Sequence, residues 1–232
     1  MNANTGRGDR GGPRGDDTGR GDRGGPGGDD TGRGDHGGPR GDDTGRWHSR
    51  GYLPHFDGGE RPQMVTFRLA DSFPRHLLDM WADELARLPE REAATERHRR
   101  IEAYIDRGAG AAWLRDPRVA RSVQDSLRHF DGERYRLHAW VVMPNHAHAV
   151  LTPLTGHELS DIVGSWKHYT ARVANQLLRR QGDFWYRDYY DRAIRDERHY
   201  AAAVAYVEAN PVRAHLCACS EEWPFGSAAC RR

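Results

Sequence analysis

Lysine is almost missing from this 232-residue chain: Lys167 is the only one, so arginine must make nearly every cationic contact. Cysteine is scarce as well. Cys217, Cys219 and Cys230 lack paired Cys-x-x-Cys spacing, which argues against a zinc knot and for reduced thiols rather than a disulfide framework. No apolar signal segment and no apolar run long enough to span a membrane is found, so a cytoplasmic location is expected. Excess charge is missing too. The formal net charge is +1, so any contact with nucleic acid must come from local patches rather than overall attraction.

The repeats near the start of the chain contain no aliphatic or aromatic side chain. Three tandem copies of a thirteen-residue unit run TGRGDRGGPRGDD (5–17), TGRGDRGGPGGDD (18–30) and TGRGDHGGPRGDD (31–43), and a fourth stops at Arg46. With nothing to bury against the entropy of ordering a Gly-rich backbone, residues 1–46 are expected to be disordered. Glycine does not recur at every third position, which excludes collagen. The tail carries eight arginines and nine aspartates, so it is no basic nucleic-acid arm. Arg-Gly-Asp recurs in it, yet nothing marks the chain as exported for an adhesion role. Residues 47–232 keep 27 basic and 25 acidic residues and suit one compact domain.

Within that domain, Met64–Leu69 is β-rich and bounded by Pro62 and Pro74, a first strand. Leu77, Leu78, Trp81, Leu85 and Leu88 then repeat at helical spacing. Pro89 breaks that helix, and a charged second one follows through Ile101 and Ile105. Asp116-Pro117 opens another, with Val119, Val123, Leu127 and Phe130 along one face. Asp131-Gly132 turns the chain into a strand over Tyr135–Val142, where Tyr135, Leu137, Ala139 and Val141 alternate with Arg136, His138, Trp140 and Val142. Met143-Pro144-Asn145 connects it to a returning strand, His146–Thr152, and the two form a hairpin.

A long helix over Asp161–Arg180 buries Ile162, Trp166, Tyr169, Val173 and Leu177. Its other side aligns Ser165, His168, Arg172, Gln176 and Arg179, which reads as a solvated face or as a phosphate-contacting stripe. Phe184–Arg192 mixes aromatics with arginine, the composition of a single-strand-binding surface and equally of a packed loop. The last helix runs from about Glu197 to Ala209 and ends at Asn210-Pro211.

Two features carry chemistry. His146 and His148, two apart on a strand, project from one face, and their imidazole nitrogens can share one divalent cation. Tyr206 and Asn210, four apart on a helix, share a face one turn from each other. Taken alone, Tyr206 reads as a tyrosine packed on the sheet and Asn210 as a helix terminator before proline.

Together the motifs resemble the REP-associated tyrosine transposases, a branch of the single-tyrosine HUH transposases. The resemblance covers most of 50–229. It runs through Gly51-Tyr52-Leu53-Pro54-His55-Phe56, Val65–Ser72, Val141-Val142-Met143-Pro144-Asn145-His146-Ala147-His148 and Ser165-Trp166-Lys167. It continues with Trp185-Tyr186-Arg187-Asp188-Tyr189-Tyr190-Asp191, Ile194-Arg195-Asp196, Tyr206–Val212 and Trp223-Pro224. Ala147 departs from the larger Val or Ile usual between the histidines, which implies a looser core beneath the pair.

The resemblance implies an α+β fold, a ferredoxin-like antiparallel sheet with helices packed on it. It also implies Mg²⁺ or Mn²⁺ on His146, His148 and Asn210, with Tyr206 as nucleophile. The implied activity is cleavage and strand transfer of single-stranded or hairpin DNA through a 5′-phosphotyrosine intermediate, by a monomer or homodimer. The expected DNA contacts are Lys167, Arg172, Arg179, Trp185, Arg187, Tyr189 and Arg192. The main alternative is a catalytically silent hairpin-binding regulator, which would not need His146, His148 and Tyr206 together. A relaxase shares the histidine pair but typically places its tyrosine before it.

Overall fold

The computed structural model describes residues 59–231, together with the backbone of two short strands before them, β1 (Arg46–Ser49) and β2 (Pro54–Asp57), which pair antiparallel. These residues all fall in one compact unit, Asp42–Arg232. The repeat tail expected to be disordered lies outside the described residues except for Arg46, which opens β1.

The central sheet has four strands, all antiparallel, in the order β4-β5-β3-β6. These are β3 (Gln63–Arg68), β4 (Tyr135–Val142), β5 (His146–Pro153) and β6 (Tyr190–Ala193). With α3 (Pro117–His129) between β3 and β4, and α4 (Leu159–Leu177) between β5 and β6, the unit reads β-α-β-β-α-β. Its strand order is that of the ferredoxin-like fold. Three helices lie outside this unit or extend it: α1 (Arg75–Leu85), α2 (Glu90–Ile105) and α5 (Glu197–Arg213).

One face of the sheet, with Val65, Phe67, Ala147, Ala149 and Leu151, packs on α3 through Val119, Val123 and Leu127 and on α4 through Ile162, Val163 and Trp166. The other face, with Met64, Val141 and Val150, receives α5 through Ala203 and Val207. Ala147 is fully buried in the first of these layers, beneath the histidines. The chain caps α3 as its sequence suggests, since Asp116 accepts from the Arg118 N–H at 2.9 Å and Pro117 follows it.

Four expectations are corrected. Strict alternation puts Tyr135, Leu137, Ala139 and Val141 on one face, but the β4–β5 register shifts between Leu137 and Ala139. Tyr135 and Leu137 therefore join the α3/α4 layer while Ala139 and Val141 join the α5 layer. On α4, Tyr169 is 46% exposed and the buried line runs through Val163, Trp166, Thr170 and Ala174. That helix stops at Leu177, so Arg179 lies beyond it in a left-handed conformation (φ 50°) and is not part of the stripe. Finally, α5 does not end at Asn210-Pro211 but continues to Arg213. Asn210 and Pro211 are buried there, and bonds from the Ala214 N–H to Asn210 O and from the Leu216 N–H to Pro211 O carry the turn onward. Packing overrides the local penalty of a helical residue before proline.

Candidate metal and nucleophile site

β5 lies between β3 and β4, and its register sets His148 opposite Thr66 and Val141, and His146 opposite Arg68. Both histidines project from the face that α5 covers, and both are buried (1% and 0% exposed). Each ring is held from behind. The Asn145 amide donates to the carbonyls of Ile105 and Ala109 at 2.9 and 2.8 Å, which fixes its Oδ1 as an acceptor. His146 Nδ1 lies 2.7 Å from that oxygen, so its proton sits on Nδ1 and Nε2 carries the lone pair. His148 Nδ1 is 2.7 Å from Thr66 Oγ1. The two Nε2 atoms converge at 2.9 Å.

Burial, then the neighbouring His148, holds the His146 pKa well below its usual range. Burial lowers His148 to about 4, with His98 and Arg213 acting the same way and Glu102 opposing. Both rings are thus neutral near pH 7, the form that binds a cation. In the unfolded chain they titrate near 6.5, so below that pH the unfolded state takes up protons that the native state refuses. Native stability without metal is therefore expected to fall as pH drops from 6.5 toward about 4, His148 alone accounting for roughly 3 kcal/mol. Thermal melts in EDTA across that range, compared with His148→Gln, measure it. Equal acid sensitivity of the two proteins contradicts the buried neutral ring.

α5 brings the other partners. Asn210 is 1% exposed, and its Nδ2 lies 3.3 Å from His148 Nε2. Rotation of the amide would set its oxygen at that position instead. The Tyr206 ring meets His148 edge-on at 5.6 Å, and the Arg213 guanidinium lies over the same ring at 4.8 Å. Burial pushes the Tyr206 hydroxyl well above the usual phenol range. Glu102 and Asp106 add to this, while Arg213 and the hydrogen bond to Asn210 oppose it.

Three groups here were not anticipated from sequence. Asp106, which caps the C-terminus of α2, places Oδ1 3.5 Å from His146 Nε2. Asp106, His146 and His148 offer ligand atoms that all lie within 4.8 Å of one another. No local pattern marks Asp106, which is 40 residues from His146 and is brought in only by the path of α2. Arg213 was legible in principle, since 206, 210 and 213 share one helical face. Asn145 lay inside a motif already singled out, but its role in orienting His146 depends on carbonyls at 105 and 109.

The expected DNA contacts scatter. Trp185 is in the core (6% exposed), edge-on to Phe67 at 4.8 Å, with its indole N–H donating to Thr170 Oγ1 at 2.9 Å. It cannot stack on a base without leaving that position. Trp185→Ala is expected to cost about 3–5 kcal/mol of stability, read by denaturant unfolding. A stable variant with weakened DNA binding would restore the contact role. Tyr189 is half-buried against the same core. Lys167 donates to the Arg187 carbonyl at 2.7 Å, and burial lowers its pKa to about 8. Arg172 and Arg179 are exposed but belong to the helix layer across the sheet from the histidines. Arg187 is exposed, and so is Arg192, which pairs with Met64 and shares the face of the site. Beside Thr66 a cavity of about 110 Å³ is lined by Arg68, His98, Glu102, Tyr186 and Tyr190 among others.

Residues 115–210 match the family described as "Transposase IS200 like", a segment that spans α3, the β4–β5 hairpin, α4, β6 and α5 as far as Asn210. The chain is 27% identical over 95 residues to the REP-associated tyrosine transposase of Escherichia coli strain K12, which takes in 40% of this chain and 54% of that protein. It thus aligns with about half the length of that curated relative. The solved structure of a REP-associated tyrosine transposase bound to a REP hairpin has 16% identity and a TM-score of 0.47, over 78% of this chain and 81% of the other. The segment that matches the IS200-like transposase family thus contains the β4–β5 hairpin with both histidines and α5 as far as Asn210. Among such transposases the chain is similar to the REP-associated tyrosine transposase of Escherichia coli.

Proposed function

We propose that this chain cuts and rejoins single-stranded DNA at hairpin-forming repetitive palindromes. Tyr206 is the nucleophile, and Mg²⁺ or Mn²⁺ is held by His146, His148 and Asn210. One observation carries the reading: two buried imidazoles point their Nε2 atoms at each other 2.9 Å apart, with Asn210 and the Tyr206 ring against them. The donor set, two imidazole nitrogens and an amide oxygen, fits a divalent cation of mixed N/O preference. When bound, such a cation withdraws charge from a non-bridging phosphate oxygen.

The chain's own groups do the rest. Asn145 and Thr66 hold the imidazoles in register, and α5 holds the Tyr206 hydroxyl in fixed relation to Asn210. Arg213, over the ring, lowers the cost of a phenolate in a site where burial and two carboxylates raise it. Tyr206 gives up its phenolic proton as its oxygen bonds to phosphorus, and the bond from phosphorus to O3′ breaks. The departing 3′ oxygen takes up a proton. A 5′-phosphotyrosine link and a free 3′-OH result, and because the phosphoester is kept, a second 3′-OH can reverse the step without ATP.

The similarity to the REP-associated tyrosine transposase of Escherichia coli supplies the analogy for the substrate. Exposed Arg187 and Arg192 are the cations we assign to the DNA backbone near the site, with Arg172 on a separate surface. We assign this activity to residues 47–232, in the cytoplasm, as a monomer or homodimer. Among the described residues no helix is long and apolar enough to cross a membrane.

The test uses the intact protein with end-labelled hairpin DNA. With Mn²⁺ it should yield an SDS-resistant protein–DNA adduct and a fragment ending in 3′-OH, and with EDTA neither. Tight hairpin binding with no adduct in Mn²⁺ contradicts the reading and favours a silent binder.

A further inference from the structure

We propose that Asp106 is a fourth ligand of the cation beside His146, His148 and Asn210, supplied by a helix outside the β-α-β-β-α-β unit; this rests on the reading above that His146 and His148 hold a divalent metal. Ligand atoms sharing a cation at about 2.1 Å lie about 3.0 Å apart at adjacent octahedral corners and about 4.2 Å apart at opposite ones. His146 Nε2 is 2.9 Å from His148 Nε2 and 3.5 Å from Asp106 Oδ1. Each of the three residues offers a ligand atom within 4.8 Å of those of the other two.

No hydrogen bond occupies the Asp106 oxygen that faces the histidines. This Oδ1 is buried, although the side chain as a whole is 23% exposed. Leaving a buried acceptor without a donor typically costs about 1–3 kcal/mol. The nitrogen that faces it is an acceptor too, because Asn145 fixes the His146 proton on the far side of the ring. An oxygen and a nitrogen lone pair directed at one point are held apart by repulsion unless a positive charge lies between them.

Local structure also gives no reason for an acid here. Asp106 stands at the C-terminus of α2, where the helix dipole disfavours negative charge, and four residues after Glu102, a like charge one turn away. As a cap it uses its backbone N–H, toward Glu102 O and Tyr104 O, and not its carboxylate. Each of these terms is unfavourable in the metal-free protein and is offset by a cation. The ligand set then becomes two imidazoles, a carboxylate and the Asn210 amide. One anionic oxygen shifts preference toward hard cations such as Mg²⁺ and Mn²⁺. The cation would also tie α2 to β5 and α5, three elements that meet at this point.

The experiment measures Mn²⁺ binding to the full chain without DNA, by calorimetry and by the rise in melting temperature. Asp106→Asn keeps shape and removes charge. It should melt at the same or a higher temperature than wild type in EDTA, bind Mn²⁺ at least tenfold more weakly, and lose most of the Mn²⁺-induced rise. His146→Ala should also lose Mn²⁺ binding. Wild-type Mn²⁺ affinity in Asp106→Asn beside a loss in His146→Ala overturns the role of Asp106 and leaves the histidine site standing. If wild type itself binds no Mn²⁺, or His146→Ala binds it normally, both readings fall. A lower metal-free melting temperature with unchanged affinity makes Asp106 a structural acid, and that also overturns the proposal.

Discussion

Tyr206→Phe is expected to abolish the covalent DNA adduct, lowering cleavage by about 10⁴-fold or more, because no other oxygen is held at that position. The substitution keeps the ring that meets His148 edge-on and lies under Arg213. It removes only the hydroxyl, so stability should change by no more than about 1.5 kcal/mol. Hairpin affinity should stay near wild type. Tyr186, Tyr189 and Tyr190 are the rivals by composition. Tyr189 packs against the α3/α4 core, and Tyr190 stacks on His98 with its hydroxyl pushed up to about 12 by burial and by Glu102. Neither sits on α5 one turn from Asn210. Tyr189→Phe and Tyr190→Phe should therefore retain the adduct. A gel-shift and SDS-gel comparison of the three variants on one labelled hairpin decides between them. A surviving adduct in Tyr206→Phe contradicts the assignment.

The second large effect is expected at the histidines. His146→Ala or His148→Ala should reduce cleavage by about 10³-fold or more while hairpin binding stays within about threefold, since affinity rests on phosphate and base contacts. Because both side chains are fully buried, truncation also opens a cavity, and some loss of stability will accompany the loss of activity. His148→Gln keeps more volume and separates the two effects. Cleavage at the wild-type rate by any of these variants, or turnover in EDTA, removes the metal from the account.

Much of this was legible in the chain. Asp131-Gly132, the alternating run after it and the short Met143-Pro144-Asn145 connection dictate the β4–β5 hairpin, and period-two geometry then places both imidazoles on one face. The Pro89 and Asp116-Pro117 boundaries follow equally from local backbone chemistry. What was not legible depends on contacts distant in sequence. The bulge after Leu137 is set by packing between two helix layers, so alternation alone assigns Ala139 and Val141 to the wrong side. Asn210-Pro211 reads as a stop because proline disfavours a preceding helical residue, yet burial against the sheet carries α5 onward and turns Asn210 toward His148. Trp185 looked like a stacking surface because composition cannot tell a wet aromatic from one packed on Phe67 and Thr170. Asp106 carried no sequence signal at all, since a lone acid at the end of a charged helix is ordinary until the fold places it against His146.

The most direct test of the central claim is to trap the adduct formed with hairpin DNA and Mn²⁺, digest it, and locate the modified peptide by mass spectrometry. The account predicts a phosphodiester to DNA on Tyr206, in the peptide that also contains Asn210 and Pro211. DNA attached to Tyr186, Tyr189, Tyr190 or any other residue, or cleavage with no protein–DNA bond, contradicts it.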